Sequence, residues 1–245
     1  MAAKFDGPSA VRGKPEPQDA VLKWTLGRRL LTAVVSGAAA ICMIVAIGSP
    51  AAAFQQRYTY RVHDSIYGAI GTYSNDVEKT GHATTVTTQA SIKVSLLGIT
   101  LYNQAVSRIE RWVDDRLVFF HGLTVENGQP IEVDGRAEAD AFIVNSPQGT
   151  VFAPATIRSV NPWSASAPGG DALLMPDTGL VEKVRGGACE DASVAIDGAS
   201  KQARRCQIET ANGRVRYEVW IDEAGTPVMF SMQNNTSTVT FTLVR

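Results

Sequence analysis

Three cysteines, three histidines and a charged fraction of 19% leave this 245-residue chain short of material for many common chemistries. It has no Gly-rich phosphate loop ending in Gly-Lys-Ser/Thr and no dinucleotide fingerprint. Gly-x-Ser-x-Gly, Ser-x-x-Lys, Cys-x-x-Cys and His-Glu-x-x-His are all missing too, which removes the hydrolase, redox and zinc-protease classes that announce themselves by motif. A formal net charge of -1 lacks the basic excess of a nucleic-acid binder. Its 21 Gly and 11 Pro follow no period, excluding collagen-like and solenoid repeats. With 44% apolar residues and so little charge, the chain is not intrinsically disordered.

One long apolar run is present, near the start. Arg28-Arg29 precedes Leu30 to Ile47, and Gly48-Ser49-Pro50 then leads into Ala51-Ala52-Ala53. A basic flank, an apolar stretch, a helix breaker and small residues are the parts of an export signal in order. Cleavage is expected after Ala53, leaving Phe54 at the new N-terminus. Two alternatives stay open. The 18-residue run is just long enough for an uncleaved anchor in the inner membrane, and Arg28-Arg29 also suits a twin-arginine route. Residues 1–23 read as a leader without fixed structure. Of the 23 basic and 24 acidic residues, 6 and 3 lie in residues 1–53, so the remainder carries a net charge of -4. That balance attracts neither nucleic acid nor anionic lipid. Any membrane contact is expected only through the N-terminal segment, and the expected location is the periplasm or outside the cell.

Cys42 would leave with the signal, and Cys189 and Cys206 remain as an even pair in an oxidising compartment. They read as one disulfide, worth about 3 kcal/mol for a loop of that size. Metal ligation competes poorly, because no His lies near either thiol in the sequence.

From Phe54 onward the texture is β. Ser91-Ile92-Lys93-Val94-Ser95-Leu96 and Thr236 to Leu243 alternate apolar and polar residues with period two, and Thr84 to Thr88 is β-branched almost throughout. Turn chemistry at Asp114-Asp115, Asn127-Gly128, Asp134-Gly135, Asn212-Gly213 and Asp222-Glu223-Ala224-Gly225 predicts short antiparallel hairpins. A break rich in turn formers, residues 161–171, separates two runs of strands at about 54–152 and 180–245. We read these as halves of a single domain, 54–245, with a long loop or short helical turn between them. The expected fold is mostly β: a curved antiparallel meander forming a half-barrel or open barrel, preceded by the signal helix. Charge on both faces of strands such as Arg108-Ile109-Glu110-Arg111-Trp112 argues against an outer-membrane barrel.

No residue earns a catalytic role, and no metal or cofactor is expected. His63, His82 and His121 have at least 18 residues between neighbours and read as structural or surface histidines. Asp114-Asp115 reads as a turn rather than a carboxylate pair, and Asp134 to Asp140 lacks the register of a calcium loop. Trp112, Phe119, Phe120, Tyr217, Trp220 and Phe230 are expected to fill the core. Trp163, in the loop-rich break, either plugs one end of the curved sheet or touches a ligand. Asn234-Asn235-Thr236 is a formal glycosylation sequon that means little in a bacterium. Candidates for ligand or partner contact are Trp163, His121, Asp177 and Trp112.

Several segments together resemble a known family. Trp112-Val113-Asp114-Asp115-Arg116-Leu117 looks like its "Trp-x-Asp-Gly-x-Leu" hairpin, with Asp115 where Gly is usual. Thr124 to Gly128, Asn161-Pro162-Trp163, Leu174 to Gly179 and Tyr217 to Asp222 follow in the expected order. The family comprises exported proteobacterial proteins classed as a domain of unknown function. The resemblance implies a curved β architecture in the bacterial envelope and brings no catalytic residues; the Cys189 and Cys206 pair is not part of it. The layout is more distantly similar to half-barrel envelope proteins that hold lipid tails. Three functions follow as expectations: a binding module for an apolar small molecule or lipid tail, a structural protein pairing with an envelope partner, or an enzyme using Asp177, His121 or His63 in a cleft.

Overall fold

The computed structural model describes residues 54–163, 170–196, 198–233 and 236–244. The expected signal helix, the expected cleavage residue Ala53 and most of the sequon lie outside the described residues. By internal contacts, Ser49–Arg245 is a compact unit of its own.

Every regular element among the described residues is a strand. The first meander is β1 (Phe54–Asp64), β2 (Gly68–Thr80), β3 (Ala83–Leu96), β4 (Ile99–Val113), β5 (Arg116–Glu126), β6 (Gln129–Glu138), β7 (Ala141–Ser146) and β8 (Gly149–Pro154). Two short strands follow, β9 (Arg158–Ser159) and β10 (Ala172–Leu174). The second meander is β11 (Val181–Ile196), β12 (Ala199–Thr210), β13 (Arg216–Ile221), β14 (Pro227–Gln233) and β15 (Thr238–Leu243). All belong to one open sheet, running from β8 to β1 in reverse order, then β15 down to β9. The β1–β15 pairing joins the two meanders, with Val62 opposite Phe241. Every neighbour is antiparallel except β9 and β10. The expected break at residues 161–171 is flanked by β9 and β10, and these two strands belong to the same sheet as both halves.

A flat sheet of this width would expose both edges and cover neither face. Here it rolls. Strand β10 sits near one end of the strand order, yet both its faces are buried: Ala172, Leu173 and Leu174 are at most 3% exposed. Leu173 packs into a core built from β1–β3 and β11–β15, whereas Ala172 and Leu174 pack into a second core with Trp112, Leu117, Phe120 and Phe142. Arg158 of β9 reaches the β4–β5 hairpin and donates to both carboxylate oxygens of Asp115, at 2.9 and 2.7 Å. The β9–β10 edge is thus tucked inside the curve as a strap against the inner faces of β4–β7. Side chains, not backbone hydrogen bonds, close the roll.

The turns follow local backbone chemistry. Asp114-Asp115 and Asn127-Gly128 are two-residue hairpin turns with positive φ at both positions, which is what a tight turn matching strand twist requires. Asp222 accepts the backbone N–H groups of Ala224 and Thr226 to shape the β13–β14 turn. Asp134-Gly135 is a correction: it is not a turn but lies inside β6, paired with Asn145 and Val144. The glycine there is steric. A Cβ at Gly135 would sit 2.4 Å from the ring of Phe142, whose edge lies over the bare backbone.

Cys189 and Cys206 face each other directly across β11 and β12 and are joined as a disulfide. Hydrogen bonding of the ladder already holds these strands in register, and the bond closes a loop of 17 residues in addition.

Gly135→Ala tests the packing of the second core. The added methyl has to displace a fully buried Phe142 ring, so a loss of about 1–3 kcal/mol is expected in urea unfolding. If β6 instead gained stability from its better strand former, the described contact would be wrong.

Candidate functional site

The inner face of the roll is not uniformly apolar. Along β4 the inward positions read Gln104, Val106, Arg108, Glu110 and Trp112, all at most 9% exposed. Ile109 and Arg111 face outward, so the register buries two charges and exposes an isoleucine. Buried charges persist only where partners are supplied, and the strap supplies them.

Glu110 is fully buried. Its Oε2 accepts from Trp112 Nε1 at 3.1 Å and from Ser159 Oγ at 2.7 Å, and its Oε1 accepts from Asn161 Nδ2 at 3.1 Å. Burial is the dominant influence and raises the Glu110 carboxyl above the usual glutamate range. The Ser159 and Asn161 hydrogen bonds, the Arg108 charge and the Trp112 hydrogen bond oppose that rise without cancelling it. Arg108 pairs instead with the strap's far end, donating from Nη2 to Asp177 Oδ1. Thr124 Oγ1 donates to the same oxygen at 3.0 Å. Gly122 lies directly opposite on β5, where a Cβ would meet the Phe120 ring first, at 3.0 Å, and Arg108 Cγ at 3.4 Å.

Beside this polar seam lies a cavity of about 500 Å³. Its walls come from β2, β3, β4, β13, β14 and β15 with Asp64 at the end of β1, and the strap contributes Val160, Met175, Pro176 and Asp177. Ile70, Ala90, Ile92, Val94, Val106 and Met232 make most of the surface aliphatic. Tyr73, Phe230 and Phe241 form an aromatic wall with ring centroids 4.2–5.4 Å apart. Burial lifts the Tyr73 hydroxyl to about 12 and raises that of Tyr217 as well. Tyr217, also in the wall, has its hydroxyl buried without a hydrogen-bond partner. The mouth opens at the end where the β1–β2, β3–β4 and β14–β15 connections turn, since Tyr67, Leu101 and Ser237 line it.

The candidates from sequence separate. Trp112 lies at the seam, bonded to Glu110, with the Arg158 guanidinium 5.6 Å from its ring centroid. Trp163 sits at the end opposite the cavity mouth, its ring 4.6 Å from that of Tyr58. Asp177 holds Arg108 at the cavity wall. His121 is on the outer face of β5, where Nδ1 lies 2.8 Å from Asp134 Oδ1. His63 is also exposed, on β1. Asp177 and the two histidines are therefore on opposite faces of the sheet, and no acid–base group forms from them. His121, Glu132 and Asp134 bring ligand-type atoms within 4.8 Å of one another on that outer face. The hairpin register makes this cluster, which spacing along the chain did not reveal.

Arg108 and Glu110 were missed as interior groups. The signal was available: period two puts them on the same face as Trp112, and a tryptophan face is the buried one.

Replacing Glu110 by Ala orphans three buried donors and is expected to cost about 3–5 kcal/mol. Glu110→Gln isolates the charge. With a raised folded value, the folded state holds the extra proton. The stability from this group is present below the ordinary glutamate range and lost as pH rises through the folded value. Plots of urea midpoint against pH should therefore fall less steeply for Glu110→Gln than for the wild type across that window; parallel plots would show that burial does not perturb this carboxyl.

Comparisons with known proteins complete the description. Residues 68–244 match the family described as "Domain of unknown function (DUF6134)". Comparison with curated proteins gives no match. A solved structure, the beta-barrel-like protein of domain of unknown function DUF1849 from Brucella abortus, is similar at a TM-score of 0.57 and 12% identity. The likeness covers 78% of this chain and 96% of that one, and at this identity it speaks for the fold alone.

Proposed function

This chain belongs to the DUF6134 family, a domain of unknown function, and from its cavity we propose that it is an exported envelope protein that binds an apolar ligand or lipid tail without transforming it. One observation carries the reading: a cavity of about 500 Å³ with mainly aliphatic and aromatic walls, held open by a strap pinned through Glu110 and Arg108. That size and lining suit a small apolar molecule or an acyl chain. The unpartnered hydroxyl of Tyr217 adds one polar requirement, which a mainly apolar ligand carrying a single oxygen would meet. Export rests on the sequence of residues 28–53, with a periplasmic location after cleavage, and the disulfide agrees with an oxidising compartment.

A structural or interaction role keeps one support. The edge strand β8 carries Phe152, 73% exposed, beside Val151, and an uncovered edge can pair with another chain. The edge beside the break, β9, is tucked inside and offers nothing of the kind.

Native mass spectrometry with lipid extraction, on residues 54–245 purified from a bacterial periplasm, decides between them. A co-purifying acyl or isoprenoid mass is expected, and Ala90→Trp, which fills the cavity from β3, should remove it. A clean apo mass, together with no uptake of a fluorescent acyl probe, would set the binding role aside in favour of the edge.

A further inference from the structure

The mouth of the cavity is rimmed by apolar side chains that point into solvent. On the β3–β4 hairpin these are Leu96, Leu97, Ile99 and Leu101, and on the β1–β2 turn Ile66 and Tyr67, with exposures from 49% to 94%. Strands β1 and β3 run in the same direction, so both turns lie at one end of the sheet. Tyr67 and Leu101 also line the cavity, as does Asp64 beside the turn, so the outer patch runs into the inner wall at these residues.

Two local choices in this lip are unfavourable for a soluble protein. Leu97, at 94% exposure, is the most exposed large hydrophobic residue among the described residues. It also occupies the left-handed region, with φ 51°, where a bulky non-glycine residue is strained. The equivalent first positions of the hairpins at Asp114-Asp115 and Asn127-Gly128 hold Asp and Asn, at φ 47° and 50°, as turn chemistry prefers. A chain that needed only the turn would use the same residues at 97. Local rules are broken where function demands it.

We infer that this lip seats the domain on an uncharged lipid surface, bringing the cavity mouth against the acyl chains. The charge pattern selects that occupant. No charged residue occurs between Val94 and Ser107, or between Ser65 and Asn75. Residues 54–245 carry a net charge of -4, which opposes anionic surfaces. Asp64 and Glu126, which lie beside these segments, are acidic, so the seat rests on apolar insertion of the two uncharged segments. The inference rests on the reading of the cavity as an acyl site, and it gives that site a route of loading from the lipid side. Membrane contact is then a property of the β domain, not only of the N-terminal segment.

The test uses residues 54–245, which hold both cores, floated with phosphatidylcholine vesicles. The wild-type domain is expected to float, equally at low and high salt. Leu97→Asn should lower the partition coefficient about tenfold, the loss of one inserted leucine. The same variant should keep or raise Tm, because Asn accepts the left-handed conformation; lost folding therefore cannot mimic lost docking. No flotation, flotation unchanged by Leu97→Asn, or flotation only with anionic lipid would each overturn the seat. A vesicle-free dimer that Leu97→Asn dissolves, with no flotation, would also overturn it and give the lip to a second copy. Uptake of an acyl probe in vesicle-free solution separates the two readings, since Leu97 does not line the cavity. Probe uptake without flotation removes the seat and leaves the cavity reading. Flotation without probe uptake upholds the lip as a membrane seat and removes the acyl site.

Discussion

Glu110 has no access to water, and a carboxyl in that position has to find its hydrogen bonds within the protein. It finds one on its own strand, from Trp112, and two from residues 49 and 51 positions further along, Ser159 and Asn161. Those two belong to the segment that leaves the first meander, so satisfying Glu110 requires the sheet to curl until that segment lies across β4. Arg108, two residues earlier on the same face, makes the same demand of Asp177. The curvature and the strap are one arrangement, because neither charge could be buried on a flat sheet.

The strap then partitions the interior. On one side, Phe142, Phe120 and Leu117 pack around Ala172 and Leu174. On the other, Leu173 meets the aromatic cluster of Tyr60, Tyr73, Phe230 and Phe241, and above that cluster the walls no longer touch. The rings set the floor of the cavity by their own contacts at 4.2–6.0 Å. A void of this kind forfeits the dispersion contacts its lining would otherwise make, and the fold tolerates it because Glu110 and Arg108 hold the strap by polar bonds instead of by apolar contact alone.

Rolling also disposes of one sheet edge. Strand β9, only Arg158–Ser159, is buried against β4 and pinned to Asp115. Strand β8 remains at the outer rim. The two ends of the roll differ in the same way: Trp163 meets Tyr58 in a tilted ring contact at one, while the other opens at the apolar lip. The large apolar cavity opens at only one of these two ends, and the exposed leucines stand at that entrance.

The sequence by itself determined the strands, most of the hairpins and the disulfide pair, because each depends on neighbours in the chain. Period-two alternation places side chains on faces, and Asn127-Gly128 sets its turn, without distant help. Asp134-Gly135 misled for the opposite reason. Its glycine answers a ring seven residues away across a strand pair, a steric demand that looks like turn chemistry in a linear reading. Trp112 and Asp177 were legible as residues of interest, but their partners Glu110 and Arg108 were not. The cross-strand cluster at His121 was invisible to spacing as well. Only the tertiary structure decided which face of β4 points inward, and therefore where the cavity lies, since a one-residue change of facing exchanges every side chain between core and solvent. The partners that settle that facing are about 50–70 residues downstream in the chain.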